Sequence, residues 1–135
     1  MNYLLDTNAC IAIMRNTSPK LSSKVLAQPP GTMAICTIVE AELYLGAYRS
    51  ARMQQNLPLV RQFVQQFPNL SFDQRAADIA GQVGAALATQ GSPIGPYDLL
   101  IAAIALAHHL TLVTHNVREF GRVSGLTYED WEAGS

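Results

Sequence analysis

Four acids, Asp6, Glu40, Glu42 and Asp98, sit in or beside apolar stretches, where a solvated surface charge has least reason to be. Carboxylates brought together repel: three of them about 5 Å apart cost roughly 3 kcal/mol per pair at an effective dielectric of about 20. A cluster of that kind takes up protons or binds a cation. An all-oxygen ligand set favours Mg2+, with Mn2+ as a substitute, over zinc, because no Cys/His ligand pattern accompanies it. An ion held by few carboxylates keeps several waters. One such water can lose a proton and attack phosphorus while the ion offsets charge on the phosphate oxygens. The chain has no Ser-His-Asp spacing, Walker motif, GxGxxG or CxxC that would direct it to other chemistry.

The elements that must position these residues are legible as alternating apolar runs. Asn2 to Asp6 predicts a short strand that Asp6 ends, with Thr7 or Asn8 capping a helix over Ala9 to Arg15. Ser18-Pro19 starts a second helix, ending near Gln28. Met33 to Cys36 predicts a second strand, and Thr37-Ile38-Val39-Glu40 fits a capping box opening a helix through Glu42 towards Tyr48. Further helices are expected over Gln54 to Phe67, from Asp73 to near Gln90, and from Tyr97-Asp98 to about His109. Strands are expected at Asn69 to Phe72, Thr111 to Thr114 and Leu126 to Tyr128, with a helical turn over Asn116 to Phe120. This alternation predicts a three-layer α/β domain with a parallel sheet covered on both faces. Sites in such sheets form beyond the carboxyl ends of the strands. Asp6, Glu42 on the second turn of its helix, Asp98 in a first turn, and Asn116 are all compatible with that rim. Glu40, two residues from Glu42, points about 200° away around the helix axis, and its capping role accounts for it.

Composition bounds the rest. The 135 residues suit one domain, and 49% hydrophobic against 14% charged residues excludes intrinsic disorder. The longest uncharged apolar run, Leu99 to Ala107, is about half a bilayer span. No export signal is visible, so Cys10 and Cys36 are expected as free, buried thiols in a cytoplasmic protein. A net charge of -1 advertises no nucleic-acid partner. His108 and His109 suit a helix C-terminus, His115 an exposed loop, and Arg118 and Arg122 solvent. Leu21, Leu26, Leu43 and Leu45 are expected mostly in the core, with some able to line a groove for a partner helix.

Taken in order, Leu5-Asp6-Thr7-Asn8, Ala41-Glu42-Leu43 with Gly46, Asp98-Leu99-Leu100-Ile101-Ala102-Ala103 and Leu112-Val113-Thr114-His115-Asn116-Val117-Arg118-Glu119-Phe120 resemble a PIN-domain ribonuclease of the VapC toxin type. Gly125-Leu126 continues the match, so the resemblance spans essentially residues 1–135 as a single PIN domain. It implies Mg2+-dependent cleavage of RNA, a transfer RNA or a ribosomal RNA loop, with 5′-phosphate and 3′-hydroxyl products. It also implies a homodimer, neutralisation by a cognate antitoxin, and a larger toxin–antitoxin assembly on operator DNA held through the antitoxin. Asp6 and Asp98 match the principal metal ligands and Glu42 the third acid. The fourth position is Asn116, whose amide can coordinate or orient but cannot act as a base, and Glu119, one turn on, is the nearest compensating acid. Asn116 and the low positive charge motivate the alternative of a weakly active or inactive module that mainly binds its antitoxin and tunes operon transcription.

Overall fold

The computed structural model describes residues 1–133. Strand β1 (Tyr3–Leu5) pairs with β2 (Met33–Cys36) on one side and β4 (Thr111–Val113) on the other. Strand β3 (Asn69–Leu70) extends the sheet beyond β2, and β5 (Tyr128–Glu129) beyond β4, in the order β3-β2-β1-β4-β5. Every pairing is parallel, so each strand must be reached by a crossover. Helices α1 (Thr7–Arg15) and α2 (Pro19–Ala27) join β1 to β2, and α3 (Thr37–Arg49) and α4 (Met53–Val64) join β2 to β3. Helices α5 (Gln74–Thr89) and α6 (Pro96–Ala107) return the chain to β4, and the short α7 (Val117–Phe120) leads to β5.

Consecutive strand residues point to opposite faces. Leu4 and Leu5 are nevertheless both wholly buried, as are Ala34, Ile35 and Cys36, so helices cover both faces and the expected three layers form. Ile101 to Ala105 of α6 are equally buried, which accounts for a helix apolar on every side. Helix α5 packs closely on α6: a Cβ at Gly84 would stand 3.1 Å from Leu99 Cδ2. Strand order reverses between β1 and β4, and sites in such sheets form at the carboxyl ends flanking that reversal. Asp6 leaves β1 and Thr114 leaves β4 at this point.

Several boundaries differ from the sequence expectation. Asp6, rather than Thr7 or Asn8, caps α1, its Oδ1 accepting the Ala9 N–H at 2.8 Å. No capping box forms at Thr37: β2 runs directly into α3 with Cys36 at the cap, and Glu40 Oε1 instead accepts from Asn69 Nδ2 at 2.9 Å. Helix α4 ends at Val64 rather than Phe67, and Pro68 keeps Phe67, the residue before it, from being helical. Strand β5 begins at Tyr128, past the Gly125 turn, whose φ of 83° belongs to glycine. Leu26 and Leu45, expected mostly in the core, are 85% and 47% exposed.

Candidate active site at the carboxyl edge of the sheet

Asp6 lies one residue past β1, and its N–H donates to Val113 O of the neighbouring strand at 3.1 Å. Its side chain is only 3% exposed. Burial raises its pKa to about 6, against the opposing pull of hydrogen bonds from the Thr114 hydroxyl and the Ala9 N–H. The charges of Glu132 and Glu42 push it further up. Thr114, itself buried, also accepts the Asn116 N–H at 2.9 Å. One hydroxyl thus ties the end of β1 to the loop that leaves β4.

Asp98 enters in the first turn of α6, which Pro96 starts at a position where no N–H is needed. Its carboxyl hydrogen-bonds Glu119. Partial burial, that bond and the charge of Glu119 raise Asp98 to about 7, with Asp6 and Glu42 adding to the shift. Glu119 moves the other way. The Gly95 N–H donated to its Oε1 is the largest cause, and Asp98, the Asn116 amide and Arg122 reinforce it against partial burial. Of the two acids, Asp98 is therefore the one biased towards its protonated form. Asn116 Nδ2 donates to Glu119 Oε2 at 3.3 Å, so this amide turns towards Glu119.

Glu42 stands on the second turn of α3 and accepts a hydrogen bond from the Thr7 hydroxyl of α1. Its charge reaches both Asp6 and Asp98. Of the acids singled out from the sequence, Glu42 and Asp6 act on each other and on Asp98 through their charges, but among the described residues the three do not form one close group of ligand atoms. A tighter group lies beside them: His115, Asp130 and Glu132 each offer a ligand atom, all within 4.8 Å of one another. His115 is exposed as expected, but its Nδ1 lies 2.9 Å from Asp130 Oδ2, and that carboxylate raises its pKa. Cys10 and Cys36 are free and buried as expected, and burial raises both thiols.

Sequence reasoning left out Thr114, Asp130 and Glu132 as site residues. The acids had a usable signal: they follow the fifth strand at the same carboxyl edge that had already been applied to Asp6 and Asn116. Arg122, expected in solvent, is exposed but braces the loop before α6, donating to Pro93 O at 3.0 Å. A groove between α1, α3 and α4 opens beside Glu42, lined by Ile11, Met14, Leu43, Leu59 and Val60 with Arg15 at its margin. No helix among the described residues is long and apolar enough to cross a membrane.

Residues 3–126 match the family model described as PIN domain. The chain is 39% identical over 131 residues to the tRNA(fMet)-specific endonuclease VapC of Shigella flexneri, covering 97% of this chain and 98% of that relative. It is 35% identical over 133 residues to Ribonuclease VapC2 of Rickettsia felis, covering 98% of this chain and 99% of the relative. The crystal structure of DNA-bound VapBC from Salmonella typhimurium superposes with a TM-score of 0.91 at 37% identity, covering 97% of this chain and 98% of that one. VapBC2 from Rickettsia felis, bound to a DNA fragment from their promoter, superposes with a TM-score of 0.89 at 33% identity, covering 97% and 99%.

Proposed function

The chain belongs to the PIN domain family, and from that premise we propose that it is a divalent-metal-dependent endoribonuclease, the toxin of a toxin–antitoxin pair. The observation that carries this reading is Asp6, a carboxylate only 3% exposed at the end of β1, whose environment includes the charge of Glu42 and which in turn acts on Asp98. Oxygen donors whose charged forms are penalised by burial and by one another suit a hard dication, which removes that penalty. Asp6 and Asp98 would hold Mg2+, or Mn2+ in its place, with Glu42 as the third acid. The bound ion would supply a water nucleophile at neutral pH and offset charge on the phosphate.

The chain's own residues do the positioning. Thr114 and the Ala9 N–H hold the Asp6 carboxylate, and the Thr7 hydroxyl holds Glu42. Glu119 keeps a hydrogen bond on Asp98, and Asn116 keeps Glu119 in place. Asn116 thus takes an orienting role. A water nucleophile needs no ribose 2′-hydroxyl, so 5′-phosphate and 3′-hydroxyl ends are the expected products. The relative that acts on tRNA(fMet) makes a transfer RNA the first substrate to try, and such a substrate puts the activity in the cytoplasm.

The partner reading follows from the neighbouring complexes, which are toxin–antitoxin assemblies bound to DNA. A cognate antitoxin would lay an apolar segment in the groove beside Glu42, on a homodimer of this single-domain chain. Operator DNA would then be bound through the antitoxin. The deciding experiment is cleavage of total RNA and of initiator transfer RNA by purified protein with Mg2+ or EDTA, beside Asp6→Asn. Discrete fragments requiring both metal and Asp6 are expected. No cleavage with Mg2+, or with Mn2+ in its place, would leave a module that mainly binds its antitoxin.

A further inference from the structure

The group formed by His115, Asp130 and Glu132 is outside the set assigned to the nuclease reaction. His115 comes from the loop after β4, while Asp130 and Glu132 come from the segment after β5. The segment bearing the two acids is anchored. Between them, Trp131 is 3% exposed, packs edge-on against Tyr3 with ring centroids 4.9 Å apart, and donates from Nε1 to Glu129 Oε1 at 2.9 Å. Asp130 is oriented in advance: its Oδ1 accepts the N–H groups of Glu132 and Ala133 at 2.9 and 3.1 Å. His115 Nδ1 lies 2.9 Å from its Oδ2 and 3.2 Å from its Oδ1.

Donors roughly 2.1 Å from one ion stand about 3 Å apart when adjacent and about 4.2 Å apart when opposite. The observed 4.8 Å span closes to that range by small rotations of the exposed His115 and the partly exposed Glu132. Among the described residues no Lys or Arg forms a salt bridge with either acid; the single ion pair there is His115 with Asp130. The nitrogen donor separates this group from an ordinary acidic surface. Imidazole is a poor ligand for Mg2+, which prefers oxygen and retains its waters, and a good one for first-row transition ions.

We propose that His115, Asp130 and Glu132 form a second metal site that takes a first-row transition dication such as Zn2+ in preference to Mg2+. Three protein donors leave at least one coordination position open to water or to an oxyanion. The site does not depend on the nuclease reading.

The test is a calorimetric Zn2+ titration in excess Mg2+, on a background in which Asp6→Asn and Asp98→Asn remove the two principal ligands of the proposed nuclease site. One Zn2+ per chain is expected to bind, with His115 ring resonances shifting as it does. His115→Asn should weaken binding by about tenfold or more, as should Glu132→Gln, which covers the case of one variant misfolding. Loss of Zn2+ binding on the Asp6→Asn/Asp98→Asn background, or unchanged affinity in both ligand variants, would overturn the proposal. Cleavage assayed separately with Mg2+ alone reports on the nuclease reading, so either can fail without the other.

Discussion

Asp98 and Glu119 share one hydrogen bond across the site and carry opposite biases: Asp98 is raised to about 7 and Glu119 is lowered. The asymmetry comes from the backbone. Glu119 receives the Gly95 N–H and the Asn116 amide, whereas Asp98 has fewer donors and more neighbouring negative charge. A cation bound at Asp98 would favour its charged form, so metal binding and proton release should be linked.

In EDTA, the stability of the protein should fall as pH rises from about 5 to 8. The folded pKa values of Asp6, about 6, and Asp98, about 7, lie above the 3.8 of an unperturbed aspartate. Their contribution is full below the unfolded value and is lost as pH climbs through the folded ones. Glu119, lowered, acts in the opposite direction, its contribution lost as pH falls through its folded pKa. Urea titrations across this range check the slope, and saturating Mg2+ should flatten it. A metal-free profile that rises with pH would contradict the assignment.

Asp6→Asn should reduce Mg2+-dependent cleavage by about 100-fold or more, because ligand loss exceeds the cost of losing an outer-shell partner. The same variant should be at least as stable as the parent at pH 7.5 without metal. Asparagine keeps an oxygen for the Ala9 N–H and removes a charge whose burial costs up to ~3 kcal/mol. Paired cleavage and thermal-melt measurements separate the two effects; equal loss of both would mean Asp6 is chiefly structural.

Thr7→Val removes the hydroxyl that holds Glu42 while keeping the side chain's shape. A stability loss of about 1 kcal/mol is expected, with cleavage falling by about tenfold as Glu42 loses its orientation. Thr7→Ser should restore most of the rate. Full activity in Thr7→Val would show that Glu42 needs no such support.

Asn116→Asp replaces a donor to Glu119 with a like charge. Metal-free protein should lose about 1–2 kcal/mol, and Mg2+ should recover part of it by offsetting the added charge. Melts with and without Mg2+ measure this. An undiminished metal-free melting temperature would show that the Asn116 amide does little to hold Glu119.

The sequence by itself determined the layer order and the address of the site. Apolar runs too short for helices alternated with helical periods, and Asp6, Asp98 and Asn116 stood where those runs ended or began, so a parallel sheet with acids at its carboxyl edge was readable. What it left open were partnerships made across the fold. Glu40 could be assigned a cap three residues away, because local hydrogen bonds are the only ones a sequence displays, yet its amide partner, Asn69, lies 29 residues on. Likewise Asp6 could be read as a strand end or a helix cap, and it is both, while its raised pKa depends on how thoroughly α1 and the strands beside it exclude water. The opposing biases of Asp98 and Glu119, and the meeting of His115 with Asp130 and Glu132, required β4 and β5 to lie side by side and α6 to begin beside α7. Burial and through-space charge depend on three-dimensional distance, and distance between residues far apart in the chain is set only when the tertiary structure forms.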